Sequence, residues 1–316
     1  MQQRYNYIDI IKGIGILSVI FVHTTDFHGI LIYTLPAFFI ISGYLFHPTD
    51  SKDEFFKSFN RILIPYFIFY TFISLSHAIF SDDNLTTSLY KYFKYLILAG
   101  NFLHGDFGVF WYINVLFLSL NAFNYLQSGK IRLPENKWIF IILILAIVSL
   151  QAININLPWN LQTIPLALFY FYIGFIARKK YINHKLMVWS KKYGVISAIL
   201  LLLLILIPDI FLDIKINDYG IPIISLFLSI IAVLCLTIIS IKLEEVKFLS
   251  KFLIYCGRAS LFLMFIHQYI HFKLRIFISN PMELFLCTVL LSLLSYRVVQ
   301  YSKLGKRLLC GNIHIK

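Results

Sequence analysis

Of 316 residues, 59% are hydrophobic and only 14% are charged, with a mean hydropathy of +0.78, a composition that excludes an ordinary soluble domain and points to a chain built into a bilayer. The 28 Lys and Arg against 15 Asp and Glu leave a formal net charge of +13. These cations fall in short gaps between apolar stretches of spanning length, not in runs interleaved with aromatics, which excludes nucleic acid as a partner.

In chain order, apolar segments run over residues 9–27, 30–46, 62–80, 107–126, 138–155, 162–177, 193–212, 221–241, 260–277 and 281–301. The fold expected is an all-α integral membrane protein of about ten transmembrane helices forming a single multi-pass domain. The first segment is entered through Asp9 and Lys12 and is followed by no small-residue cleavage site, so it is expected to stay as a span. Lys and Arg accumulate in cytoplasmic loops. Alternate gaps are indeed basic: Arg4; Lys52, Lys57 and Arg61; Lys130, Arg132 and Lys137; Arg178 to Lys192; Lys242 to Arg258; and Lys303 to Lys316. Lys91, Lys94, Lys215, Lys273 and Arg275 fall in the other set. Both termini are therefore expected in the cytoplasm.

Residues 85–104 are the one segment that breaks the pattern if it spans. There Tyr90, Tyr92, Phe93, Tyr95 and Leu96 alternate with Lys91 and Lys94, as in a helix lying on the outer surface. Trp111, Trp138, Trp159 and Trp189 fall at or near the expected interfaces. Cys235 and Cys287 lie in spans and Cys256 and Cys310 on the cytoplasmic side, an arrangement that argues against a structural disulfide.

An ionisable side chain inside hydrocarbon costs at least ~2.5 kcal/mol, which directs attention to the polar residues of the first helix. Lys12 and His23 lie eleven positions apart. Eleven steps of about 100° return to within about 20° of the starting direction and rise roughly 16 Å, so both face one neighbour. Asp9 and Asp26, each three residues from one of them, widen this face into a polar arc. The plainer reading is a Lys12 that snorkels beside Asp9 and a His23 that hydrogen-bonds an adjacent helix.

Six ordered phrases carry a family resemblance. Tyr7-Ile-Asp9 through Lys12 to His23 is the first, with Lys12 where Arg is common. Leu35-Pro36 through Phe38-Phe39 to Ser42-Gly43-Tyr44 follows, then Lys57 to Arg61 with Pro65-Tyr66. Phe110-Trp111-Tyr112-Ile113, Phe171 to Phe175, and Gly257-Arg258-Ala259-Ser260-Leu261 to His267 complete the order. The chain resembles the acyltransferase-3 family of membrane acyltransferases, which includes fucose 4-O-acetylase-like and polysaccharide O-acetyltransferases. One departure is Ser58, where many members carry a second basic residue three before Arg61.

The resemblance implies O-acetyl transfer from acetyl-CoA, with no permanently bound cofactor, to a hydroxyl of a surface polysaccharide sugar or its lipid-linked precursor. The Ile, Phe and Lys usage of the chain leads to the expectation of a bacterial cytoplasmic membrane. Lys12, Arg61 and Lys57 supply cations for the CoA phosphates. His23, about 16 Å deeper than Lys12, meets the thioester as general base on the acceptor hydroxyl or as transient acyl acceptor. Asp26 either orients His23 or marks the water boundary, Asp9 neutralises Lys12, and His267 matches a late histidine of the family. His267 and His271, four apart, have metal-ligand spacing, but no Glu completes an H-E-x-x-H pattern and no metal is expected. Neither a phosphate-binding Gly-rich loop nor a G-x-S-x-G elbow is present. The competing function for such a polar face is a transporter or flippase of a lipid-linked sugar.

Overall fold

The computed structural model describes residues 5–80, 85–128, 137–180, 183–208 and 210–311. Arg4, Lys130, Arg132 and Lys316, assigned to the cytoplasmic set, lie outside the described residues. The helices are α1 (Asn6–Thr25), α2 (Thr34–Leu45), α3 (Ser51–Ser58), α4 (Ile64–Phe80), α5 (Leu85–Leu98), α6 (Phe110–Ser128), α7 (Lys137–Ile153), α8 (Ile164–Lys179), α9 (Asn183–Ile205), α10 (Pro222–Leu243), α11 (Lys247–Leu274), α12 (Pro281–Val299) and α13 (Lys303–Leu309). Among the described residues nine helical stretches are long and apolar enough to cross a bilayer, and the segment at 138–153 is a shorter apolar helix. All ten expected segments thus fall on helices, and the protein is an all-α multi-pass membrane protein.

Several ends differ from expectation. Helix α11 begins at Lys247, well before the expected 260, because Lys247, Lys251 and Arg258 depress the hydropathy of a stretch that is helical nonetheless. Cys256 is fully buried within it. Helix α9 is displaced towards the N-terminus of its segment and ends at Ile205. Beyond it, Asp213 and Asp218 exchange backbone hydrogen bonds of 2.8 and 3.1 Å, and Asp213 accepts from the amides of Lys215 and Ile216. Burial in this loop pushes the Asp213 carboxyl above its usual range and the Lys215 ammonium below its own. Helix α5 has 14 residues, about 21 Å, too short for a span, as its alternating aromatics and lysines imply.

The chain forms two compact units. The first comprises Met1–His47, Leu133–Asn154 and Pro165–Ser260. Its helices meet backbone to backbone at glycines. A Cβ at Gly13 would lie 2.2 Å from the Leu253 carbonyl oxygen, and one at Gly257 1.9 Å from that of Asp9, so α1 and α11 cross with a glycine on each side. Helices α2 and α8 repeat the device, with Gly43 against the Phe171 oxygen and Gly174 against that of Ile40, both at 1.9 Å. Small residues suit helix contacts in lipid, where close backbone approach replaces the hydrophobic drive available in water. Buried hydroxyl pairs add polar links: Ser18 with Tyr33 at 2.9 Å and Tyr170 with Ser229 at 2.7 Å. Arg178 closes the end of α2 by donating to the Phe46 carbonyl at 2.6 Å and to Nε2 of His47.

The second unit comprises Pro48–Arg132, Ile155–Ile164 and Leu261–Lys316. Asp50 caps α3 by accepting from the Lys52 amide at 2.9 Å. A π-helical turn, Phe59–Leu63, then leads into α4, with the Ile64 amide reaching back to the Phe59 carbonyl. Tyr66, Phe69, Tyr70 and Ile73 form the buried stripe of α4, at the spacing of one helical face. Their rings meet Phe110 at 5.2 Å, Phe265 at 5.1 Å and Phe107 at 4.8 Å from Tyr66, Phe69 and Tyr70 respectively. Asn124 of α6 clamps Thr49 through two reciprocal 3.1 Å bonds. Trp159 and Asn160 are both left-handed, at φ 58° and 54°, and the Trp159 indole donates to the Ile97 carbonyl at 2.9 Å.

Gly43→Ala and Gly174→Ala are each expected to destabilise the protein by about 2 to 3 kcal/mol, through forced separation of α2 and α8. Gly194→Ala, whose Cβ would meet only the Lys242 side chain at 3.7 Å, is expected to be neutral or stabilising by up to about 1 kcal/mol. Thermal unfolding midpoints in one detergent, compared across the three variants, check this.

Candidate functional site

In the first unit, α1 runs unbroken from Asn6 to Thr25, which places Lys12 and His23 on one face, both partly buried. They stand three turns apart, and the structure does not draw them together. At the start of the helix the Tyr7 hydroxyl meets that of Tyr44. Asp9 is only 5% exposed, and the Nε of Arg258 lies 3.5 Å from its Oδ2. The glycine crossing of α1 with α11 brings this pair into reach, because Gly257 rests on the Asp9 carbonyl and Arg258 is the next residue. Asp26 is exposed and left-handed at φ 57°, with its amide bonded to the Val22 carbonyl at 2.9 Å, so it terminates α1. Four of the six sequence phrases therefore meet in the first unit: those around Asp9, Gly43-Tyr44, Phe171 to Gly174, and Gly257-Arg258.

In the second unit, Lys57 and Arg61 gather around a carboxylate that sequence reading missed. Glu54 is 4% exposed. It accepts from the Thr49 hydroxyl at 3.0 Å, lies 3.6 Å from the Lys57 ammonium, and acts electrostatically on Arg61. A signal existed, since Glu54 precedes Lys57 by three residues on the same helix face, but a charge in a basic loop reads as solvated. Arg61 occupies the π turn, a local form that often marks functional positions. Ser58 is buried, donates to the Phe55 carbonyl and accepts from the Asn121 amide at 3.0 Å. The position where the resembling motif has a second cation is thus enclosed against α6. His267 is fully buried, and its Nδ1 donates to the Leu263 carbonyl at 2.7 Å, which leaves Nε2 as the acceptor nitrogen. Among the described residues no group of three or more His, Cys, Asp or Glu is placed to hold a metal.

A further pair was not legible in the sequence. His77, near the end of α4, bonds through Nε2 to Oδ2 of Asp106 at 2.6 Å. Twenty-nine positions separate them, and neither belongs to a local motif.

Glu54→Gln keeps an acceptor for Thr49 but removes the charge shared by Lys57 and Arg61, and is expected to lower stability by about 1 to 3 kcal/mol. Lys57→Gln, at a side chain 50% exposed, is expected to cost under about 1 kcal/mol. Denaturant titration of the two variants in detergent distinguishes them.

Residues 5–298 match the model of a family described as an acyltransferase domain. No curated protein and no solved structure matches the chain.

Proposed function

The chain belongs to the acyltransferase-3 family of membrane acyltransferases, and from that premise we propose that it transfers acetyl from acetyl-CoA to a hydroxyl of a cell-surface polysaccharide sugar or its lipid-linked precursor. The observation that carries this reading is the single unbroken α1 with Lys12 and His23 on one face, roughly 16 Å apart. That separation suits a donor whose phosphates and thioester lie at opposite ends of a flexible arm.

In this mechanism Lys12, Arg61 and Lys57 bind the CoA phosphates by charge-assisted hydrogen bonds. His23 either removes the proton of the acceptor hydroxyl as its oxygen attacks the acetyl carbon, or attacks that carbon itself and passes the acetyl on. In both routes the C–S bond breaks and the CoA thiolate leaves. Asp9 fixes the charge balance at the base of α1 through Arg258, His267 lines the interior, and Asp26 sits at the water boundary above His23. The reaction takes place in a bacterial cytoplasmic membrane, with both termini inside.

The test is transfer of labelled acetyl from acetyl-CoA to envelope glycans in membranes of the source cells, with each variant at equal abundance. His23→Ala is expected to reduce transfer by 10²- to 10⁴-fold. Lys12→Ala is expected to raise KM for acetyl-CoA about tenfold or more, with rescue by excess donor. Absence of label with the native chain would overturn acetyl transfer to a glycan. Label unaffected by His23→Ala would remove His23 from the chemistry, and glycan movement without any donor would favour a carrier.

A further inference from the structure

The second unit contains a polar constellation that the mechanism above does not use. His77 is 34% exposed at its side chain while Asp106 is 6% exposed, and the two are joined at 2.6 Å. Because Nε2 of His77 is engaged with the carboxylate, Nδ1 is the ring nitrogen left to meet a ligand. Aromatic rings stand beside it, with Phe107 at 5.8 Å and Tyr92 at 6.1 Å from the imidazole. The Tyr70 hydroxyl donates to the Tyr92 carbonyl at 2.7 Å, which fastens α5 and its tyrosine ring to α4 at this place.

A second, independent observation comes from α11. Gln268 is 7% exposed, and its Oε1 makes no hydrogen bond among the described residues. The amide lies against Gly108, two residues beyond Asp106, so closely that a Cβ there would be 2.8 Å from Oε1. A buried amide oxygen without a donor is costly unless a ligand satisfies it. His271 and Lys273, on the same helix, act on the Asp106 charge.

We propose that His77, Asp106 and Gln268 form a binding subsite for a polyhydroxylated ligand, the sugar acceptor of the reaction proposed above, on which this assignment rests. The donor set matches that chemistry: carboxylate and amide oxygens accept from sugar hydroxyls, the imidazole nitrogen accepts another, and the flanking rings offer faces to sugar C–H groups. Position supports it as well. His77 is close to the end of one span and Asp106 to the start of another, where a water-borne hydroxyl can arrive. Arg61 and Lys57 lie at the other end of this helical pair, since sixteen residues of helix from Arg61 to His77 measure about 24 Å. Within this unit, cations for the donor and hydroxyl ligands for the acceptor thus stand at opposite ends.

Two measurements test the subsite separately from the acyl transfer. In membranes of the source cells, His77→Gln and Asp106→Asn are expected to reduce labelled transfer to glycan at least tenfold while KM for acetyl-CoA stays unchanged, in protein that elutes as a folded species. In the purified native chain, oligosaccharides released from the source-cell envelope are expected to slow carbethoxylation of His77 by diethyl pyrocarbonate, read by mass spectrometry, but not that of exposed His28. Protection of His77 without acetyl transfer would uphold the subsite and overturn the acetyl-transfer reading. Transfer by the native chain with an unprotected His77 and unimpaired variants would overturn the subsite and leave that reading standing. Neither transfer nor protection would overturn both.

Discussion

The peptide carbonyl pressed against a glycine Cα is the contact on which the first unit depends. Lipid tails are as apolar as leucine, so helices there gain little by hiding apolar surface and associate through close packing and polar links. Reciprocal glycines on α1 and α11, and again on α2 and α8, bring the backbones together with no side chain between them. The polar residues beside these crossings inherit their place from them. Arg258 reaches Asp9 because the neighbouring glycine lies on the Asp9 carbonyl, and Tyr44 follows the glycine that meets Phe171. Residues that look like chemistry in a sequence therefore sit beside residues that are there for geometry.

The second unit is held differently, by rings and clamps. Aromatic faces from α4, α6 and α11 interlock at 5 to 6 Å, and Asn124 and Glu54 fix the entry to α3 and α4 through Thr49. Glu54 lies 3.6 Å from the Lys57 ammonium and acts electrostatically on Arg61, which weakens the field that an anionic ligand would meet at these two cations.

Much of the helical plan was legible because a long apolar run in a bilayer must satisfy its own backbone, and a helix does so within one segment. The alternation in α5 was legible too, since lysines between aromatics cannot sit in hydrocarbon. What escaped was whatever hydropathy misstates or sequence distance hides. The front of α11 carries cations on a helical stretch and reads as loop. Glu54 reads as surface charge but is buried. Of the candidate site, the common face of Lys12 and His23 follows from the 3.6-residue period alone. The pairing of His77 with Asp106 needs α4 and α6 to be folded together and has no local trace.

The π turn at Phe59–Leu63 makes α4 a matter of phase as well as order. A wide turn stores one residue more than an α-helical turn, and each residue of helix is worth about 100° of rotation. Excising a single position there would let the wide turn close as an α-helical one, so that Tyr66, Phe69, Tyr70, Ile73 and His77 keep their direction relative to α3 and the stripe still faces Phe107, Phe110 and Phe265. Excising one from the regular helix just after Leu63 would instead swing every later residue by about 100°. The π turn is thus slack that absorbs a change of length, while beyond it the same change acts like a mis-set gear.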